Sequence, residues 1–345
     1  MKKRIIISVC AILTLAVVFS LCTALVVPKY TDKTQLEGRL TSEYYAEAGG
    51  HDIIFIGDCE VYESFVPAVM WEKYGISSYV RGSAQQLVWH SYYLLEETFK
   101  YESPAVVVFN VLALKYGEPQ SEAYNRMTLD GMRWSSSKVK AILASMTEEE
   151  SFLDYVFPLL RYHSRITELG GDDLKYAFSS PEAVSHSGYL MQTGAVPMPE
   201  DIGTPITMLD DLPDSSMEYL ERMRLLCEEN DAELVLVKAP TNHTRYWWYD
   251  SWDKQICEYA EQKGLAYYNF IPLCGEMGID WSVDTYDEGM HLNVYGAEKL
   301  SNYFGNILIS SHGVSDRRTD AELSEEWQGR VEKYYNDKTS RENEK

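Results

Sequence analysis

The chain has 345 residues, of which 53 are acidic and 31 are Lys or Arg, so its formal net charge is −22 at neutral pH. This charge excludes nucleic acid as an expected partner, because neutralising phosphates requires clustered basic side chains. The six cysteines are too sparse for a disulfide scaffold and lack zinc-type spacing, so we expect no metal site. Cys257 and Cys274 could pair, and the sequence leaves that question open.

The N-terminus has the pattern of a membrane anchor. Lys2, Lys3 and Arg4 precede an uncharged, largely apolar run of 23 residues, 5–27, which Pro28 closes. At about 1.5 Å per residue this run spans roughly 34 Å, enough for the hydrocarbon core of a bilayer. A cleaved signal peptide is the alternative, but its apolar region is usually shorter, about 7–15 residues. We therefore expect 1–28 to be a transmembrane anchor with the basic cluster in the cytoplasm and the rest of the chain outside it.

The remaining chain alternates apolar runs with helical patterns, which predicts βαβ units and a parallel sheet. Residues 29–50 are polar and predict a stalk. Residues 51–311 then form the predicted domain. Its strands are expected at 53–56, 77–80, 105–109, 234–237 and 266–270. An amphipathic helix capped by Asn293 closes this domain.

Two segments break the alternation of strands and helices. The stretch from about 114 to 213 is too long for a connection in a parallel sheet, and it predicts an inserted subdomain. The last segment, 312–345, is polar and charged, and it predicts a tail that is a loose helix or disordered.

Chemically informative residues follow several of the predicted strands. Asp58 and Cys59 come after the first strand, Gly82 after the second and Asn110 after the third, while His291 precedes the last helix. In an open α/β sheet, ligands gather beyond the carboxyl ends of the strands. The sequence therefore predicts a site at this edge.

These residues resemble the conserved blocks of the SGNH (GDSL) hydrolases. Residues 56–60, Ile-Gly-Asp-Cys-Glu, resemble the Gly-Asp-Ser block, with Cys59 in place of the nucleophilic serine. Gly82 matches the second block. Asn110 is a candidate for the third, although the usual Gly-x-Asn-Asp context is missing. The resemblance covers the sheet framework, about two thirds of the chain, and implies a flavodoxin-like, three-layer α/β fold without a cofactor.

Residues 287–293, Asp-Glu-Gly-Met-His-Leu-Asn, resemble the closing Asp-x-x-His block of that family. The spacing departs from the family pattern, because Glu288 lies three residues before His291 and Asp287 lies four before it. Asp287 is the expected acid, Glu288 is its close rival, and Asp284 is a more distant candidate.

The resemblance implies a role for each of these residues in acyl transfer. Cys59 would be the nucleophile, His291 its base, and Asp287 the acid that orients the base. The backbone N–H groups of Cys59 and Gly82 and the amide of Asn110 would face the developing oxyanion. Asp58 is a secondary candidate. Cys59 could instead be a small buried residue at the end of a strand.

Within the family, the chain most resembles membrane-anchored cell-envelope proteins of the alginate O-acetylation and teichoic acid D-alanylation type, which partner membrane-bound O-acyltransferases (MBOAT proteins). The anchor, the insertion and the His-Leu-Asn-x-x-Gly-Ala segment at 291–297 all fit. The implied function is transfer of an acetyl or similar group onto an envelope polymer through Cys59. An extracytoplasmic carbohydrate esterase and a non-catalytic scaffold are the alternatives.

Overall fold

The computed structural model describes residues 2–29, 38–179, 181–199, 211–242, 248 and 250–343. The chain divides into two compact units. The smaller one contains residues 1–36 and 146–183, and the larger one contains residues 37–145 and 184–345.

A parallel five-stranded sheet forms the centre of the larger unit. Its strands are β1 (Ile53–Gly57), β2 (Ser78–Gly82), β3 (Val106–Asn110), β4 (Glu233–Lys238) and β5 (Ala266–Asn269). They lie in the order β2-β1-β3-β4-β5, with Gly57 paired to Gly82 and Asn110 paired to Val237. This is the strand order of flavodoxin-like doubly wound sheets. The predicted fold class, a flavodoxin-like three-layer α/β architecture with a parallel sheet, is confirmed.

Every residue of β1, β2 and β3 is buried, as expected when helices cover both faces of a parallel sheet. The helices and their bounds follow in chain order: α1 (Lys2–Val26), α2 (Arg39–Glu47), α3 (Cys59–Tyr62), α4 (Pro67–Tyr74), α5 (Val88–Thr98), α6 (Glu122–Leu129), α7 (Ser136–Ser145), α8 (Phe152–Val156), α9 (Pro158–Tyr162), α10 (Gly171–Lys175), α11 (Asp214–Glu229), α12 (Asp250–Lys263), α13 (Cys274–Met277), α14 (Val294–Ser311) and α15 (Ala321–Asn343). Helix α4 packs with α14 and α15, and α5 packs with α7 and α11.

Two polar segments are better ordered than the sequence predicts. Helix α2 lies within the predicted stalk, yet its Tyr44 is fully buried and packs edge-on against Tyr79 of β2. Helix α15 occupies most of the predicted tail, and the Trp327 indole stacks on Trp71 with ring centroids 5.3 Å apart. Tyr334 is buried one heptad later. The predicted tail is thus a helix, one of the two predicted alternatives, but it is packed rather than loose, because a few large aromatic side chains hold this otherwise polar helix against the domain.

The predicted insertion is divided between the two units. Helices α6 and α7 belong to the larger unit, whereas α8, α9 and α10 belong to the smaller one together with α1. Residues 180 and 200–210 of the insertion and residues 30–37 of the predicted stalk lie outside the described part of the chain. Cys257 and Cys274 are free thiols in the structure.

Helix α1 is long and apolar enough to cross a membrane, judged by length and composition. A signal sequence near an N-terminus would have the same properties.

Candidate active site

The turn after β1 places Cys59 at the start of α3. Asp58 caps this helix, with its Oδ1 accepting a hydrogen bond from the Glu60 N–H at 3.2 Å. Gly57 is needed for the turn, because a Cβ atom there would lie 2.5 Å from Cγ2 of Val61. The Cys59 side chain is half-buried and lies at the carboxyl edge of the sheet.

A tight loop before α14 brings His291 to the thiol. Its Nε2 lies 3.1 Å from Cys59 Sγ. Its Nδ1 lies 2.6 Å from Asp287 Oδ2, and its backbone N–H donates to Asp287 Oδ1 at 2.8 Å. Asp287 therefore fixes both the backbone and the ring of His291. Cys59, His291 and Asp287 form a continuous hydrogen-bonded series.

Asp287 can reach the ring of His291 across a spacing of four residues, because the loop between them contains two consecutive residues in the left-handed region. Glu288 has φ 64° and Gly289 has φ 93°. The Gly289 N–H donates to Thr285 Oγ1 at 2.9 Å, which holds the loop closed. The chain thus turns back on itself between Asp287 and His291.

The two rival carboxylates are placed elsewhere. Glu288 is exposed, and its backbone N–H donates to the Val196 carbonyl at 2.9 Å. Asp284 is buried, with its Oδ2 accepting from the Asp280 N–H at 2.7 Å and from Lys299 Nζ at 2.5 Å. The structure therefore brings Asp287 to the imidazole, while Asp284 holds the preceding turn.

Asn110 reaches the site but uses its amide for structure. Its Nδ2 donates to Asp58 Oδ1 at 3.2 Å and to Glu60 Oε2 at 2.9 Å. Its Oδ1 accepts from the Ala239 N–H at 3.0 Å. Since an amide nitrogen carries two hydrogens, facing an oxyanion would require Asn110 to release one of these bonds.

Gly82 approaches α3 closely. A Cβ atom at Gly82 would lie 3.1 Å from Cβ of Tyr62 and 3.3 Å from the Asp58 carbonyl oxygen. The absence of a side chain allows the end of β2 to lie directly beside the turn that carries Cys59. Gly82, the expected second oxyanion donor, therefore lies beside the turn that carries Cys59.

A buried ion pair between Lys238 and Glu60 lies next to the turn that carries Cys59. The sequence reasoning missed this pair. Lys238 Nζ lies 2.7 Å from both carboxylate oxygens of Glu60 and donates to the Ala239 carbonyl at 2.7 Å. Both side chains are essentially fully buried. The sequence contained a signal for this pair, because Lys238 directly follows the apolar run 234–237 and Glu60 directly follows Cys59.

Glu63 is the residue that directly follows α3. It is a second carboxylate near His291, and the sequence reasoning missed it. Its Oε2 lies 3.7 Å from His291 Nδ1, and its Oε1 accepts from the Tyr286 hydroxyl at 2.8 Å. Burial raises the pKa of Glu63 to about 7, against the opposing effect of His291. This carboxyl can therefore change its charge near neutral pH.

Burial and neighbouring charges shift the other titratable groups of the site. Burial raises the pKa of the Cys59 thiol, and the adjacent imidazole works against that rise. Burial alone would lower the pKa of His291, but the negative charge of a Cys59 thiolate and the hydrogen bond with Asp287 outweigh it and hold that pKa well above its ordinary range. Burial and the neighbouring Glu60 raise the pKa of Asp58 to about 6. The site thus combines a protonatable thiol with a strongly basic imidazole.

No family model matches the chain, and no curated protein matches it. Solved structures do match it, and two of them align with most of the chain. One is a candidate acylhydrolase from Bacteroides fragilis, at 11% identity over 78% of this chain and 94% of that chain, with a TM-score of 0.36. The other is a GDSL-like lipase from Bacteroides thetaiotaomicron, at 12% identity over 80% of this chain and 100% of that chain, with a TM-score of 0.37.

The strand order and the distances of the chain itself define its class. It is an α/β protein with a flavodoxin-like parallel sheet and a Cys-His-Asp series at the carboxyl edge of that sheet.

Replacing Lys238 with Met should destabilise the protein strongly, because it leaves the Glu60 carboxylate buried without its cation. The expected loss is roughly 3–5 kcal/mol of unfolding free energy. Chemical denaturation of the detergent-solubilised protein measures it. The double variant Glu60→Gln/Lys238→Met should lose less unfolding free energy than the single variant Lys238→Met. A double variant that is no more stable than Lys238→Met would contradict the assigned ion pair.

Replacing Glu63 with Gln should lower the pKa of His291, since it removes a negative charge near Nδ1. The expected change is about 1 pKa unit, the lower end of what a nearby opposite charge supplies. Carbon-13 NMR of labelled histidines measures it, with the His291 signal assigned by its loss in His291→Asn. Glu288→Gln is the matched control, because it removes an exposed carboxylate from the same loop. Equal titration midpoints of His291 in wild type and in Glu63→Gln would rule out an effect of Glu63 on the pKa of His291.

Proposed function

We propose that the protein is an acyltransferase that carries an acetyl or similar group on Cys59 and passes it to a hydroxyl group of a cell-envelope polymer. The observation that supports this most is the hydrogen-bonded series from Cys59 Sγ through His291 to Asp287. A nucleophile, a base within hydrogen-bond reach and an acid that orients the base are the parts that covalent acyl transfer requires.

In the first step, Cys59 Sγ attacks the carbonyl carbon of an acyl donor, and His291 Nε2 takes the thiol proton. Asp287 accepts the hydrogen bond from His291 Nδ1–H and stabilises the imidazolium. The backbone N–H groups of Cys59 and Gly82 face the oxyanion of the tetrahedral intermediate. The intermediate then collapses to a thioester while His291 returns the proton to the leaving group.

In the second step, an acceptor hydroxyl gives its proton to His291 and attacks the thioester carbonyl. Collapse of this second intermediate releases the ester and returns the proton to Cys59. A thioester remains activated toward alcohols, which favours transfer over simple hydrolysis. With water as the acceptor, the same steps describe an esterase. That is the second candidate function, and the same Cys59, His291 and Asp287 would perform it.

The proposed setting is the outer face of a membrane, with α1 as an uncleaved anchor and an MBOAT protein as the source of the acyl group. The length and composition of α1 and the basic residues before it support this placement. The partner follows from the resemblance to membrane-anchored acylation proteins. A non-catalytic scaffold is the remaining alternative, and it predicts no acyl-enzyme.

Cys59 should form a thioester when the purified protein meets an activated acyl donor. Intact mass should rise by one acyl group, and neutral hydroxylamine should remove that group. Cys59→Ala should not be labelled, whereas Cys59→Ser should retain some activity if the oxyanion donors are intact. Asp287→Asn should slow labelling severely, whereas Glu288→Gln, the matched control, should not. Equal labelling of wild type and Cys59→Ala would favour the scaffold.

Adding a sugar alcohol to the preformed thioester separates the two catalytic candidates. A transferase should yield the sugar ester faster than free acid, whereas an esterase should yield free acid at a rate that the alcohol leaves unchanged.

Protease added to spheroplasts should digest the chain beyond Pro28, because the basic cluster at residues 2–4 is expected to remain in the cytoplasm. Immunoblotting against a C-terminal tag measures the digestion, with a cytoplasmic protein as the control for lysis. Protection of the tag in intact spheroplasts, followed by digestion after lysis, would place the domain in the cytoplasm.

A further inference from the structure

The smaller unit contains a set of short helices packed around the end of α1. We call this set the collar and define it as residues 152–178. It comprises α8, α9, a 3-10 turn (His163–Thr167) and α10. The collar contacts α1 through α9, the 3-10 turn and α10. Phe157 packs edge-on against Phe19 of α1, with ring centroids 5.7 Å apart.

The contacts with α1 fix the depth of the collar. Residues 5–18 of α1 are exposed on all sides, and at about 1.5 Å per residue they span only about 21 Å. A hydrocarbon core of about 30 Å therefore extends past Phe19, to about residue 25. If the core begins after Arg4, Phe157 lies within it, on the side opposite the basic cluster.

The collar exposes large apolar side chains. Leu174 is 67% exposed and Phe178 is 76% exposed. Four more exposed apolar residues of the collar are Leu153, Phe157, Leu160 and Ile166. Clusters of exposed apolar side chains on short helices are a feature of segments that lie in a membrane interface.

Carbonyl groups at the C-terminal end of α1 have side-chain hydrogen-bond donors, as a medium of low polarity requires. The Val26 carbonyl accepts a hydrogen bond from Arg165 of the collar. Lys29 Nζ donates to the carbonyls of Ala24 and Val27. Arg165 is in turn paired with Asp173 at 3.0 Å. The terminal carbonyls of a helix lack partners within the helix, and leaving them bare is costly away from water.

We propose that the collar is a lipid-facing element that is immersed in the leaflet opposite residues 2–4, with Leu174 and Phe178 among the acyl chains. Hydrophobic burial drives this immersion, because acidic residues outnumber basic ones in residues 146–183 and would not attract anionic headgroups. The collar thus anchors the protein in addition to α1.

Site-specific photo-crosslinking tests the proposal on the full chain. A benzophenone amino acid replaces Leu174 or Phe178, and the purified protein is reconstituted into phosphatidylcholine vesicles and irradiated. Leu143 of α7 is the matched control, because it is a leucine of similar exposure, 60%, in the larger unit. Intact mass first verifies that α1 is retained, and tandem mass spectrometry then locates the adduct on the lipid.

The expected result is a phospholipid adduct at positions 174 and 178 that is several-fold more abundant than at 143 and is attached to acyl-chain carbons. Adducts no more abundant than at position 143, or attached only to headgroups, would overturn the proposal. Crosslinks to a protein in native membranes, without lipid adducts in vesicles, would overturn it in favour of a protein partner for this surface. A purified protein that lacks α1 would overturn it as well.

Discussion

The candidate site depends on the buried ion pair between Glu60 and Lys238. Lys238 ends β4 and Glu60 lies in α3, so the pair joins the fourth strand to the turn that carries Cys59. Asn110, at the end of β3, binds Glu60, Asp58 and the Ala239 backbone. The carboxyl ends of three strands are therefore joined by one network in which the lysine's three donors are all used. A buried charge without its partner is costly, which confines this arrangement to a single geometry.

The surroundings of the Cys59 thiol are unusually acidic for a reactive cysteine. Asp58, Glu60, Glu63 and Asp287 surround the site with carboxyl groups, while reactive cysteines usually lie near positive charge. Burial and this acidity favour a neutral Cys59 in the resting protein. In the proposed reaction the imidazole of His291 takes the proton as the bond to the acyl carbon forms, because the negative charge that then develops on Cys59 raises the pKa of His291. Such a thiol is suited to attack on a bound, oriented substrate rather than to general redox reactivity.

The sequence predicted the sheet well, because β1, β3 and β4 each contain a continuous run of four apolar residues. It also singled out the side chains that meet around Cys59. The choice between Asp287 and Glu288 depended on two positive φ angles that spacing does not reveal. Glu63 was missed because its importance follows from its burial beside His291, a tertiary property. The packing of helices α2 and α15 was missed for a similar reason, since a few buried aromatics outweigh a polar composition.

Glu63 gives the site a second means of controlling the proton on His291. Each half of the proposed reaction requires the imidazole to accept a proton and then release it. When His291 is positively charged, ionised Glu63 at 3.7 Å from Nδ1 stabilises that charge. When His291 is neutral, the buried carboxyl is favoured in its protonated form, because burial raises its pKa to about 7. The charges of the two groups therefore change together, so the site avoids holding an unpaired carboxylate beside a neutral His291 during the proposed reaction.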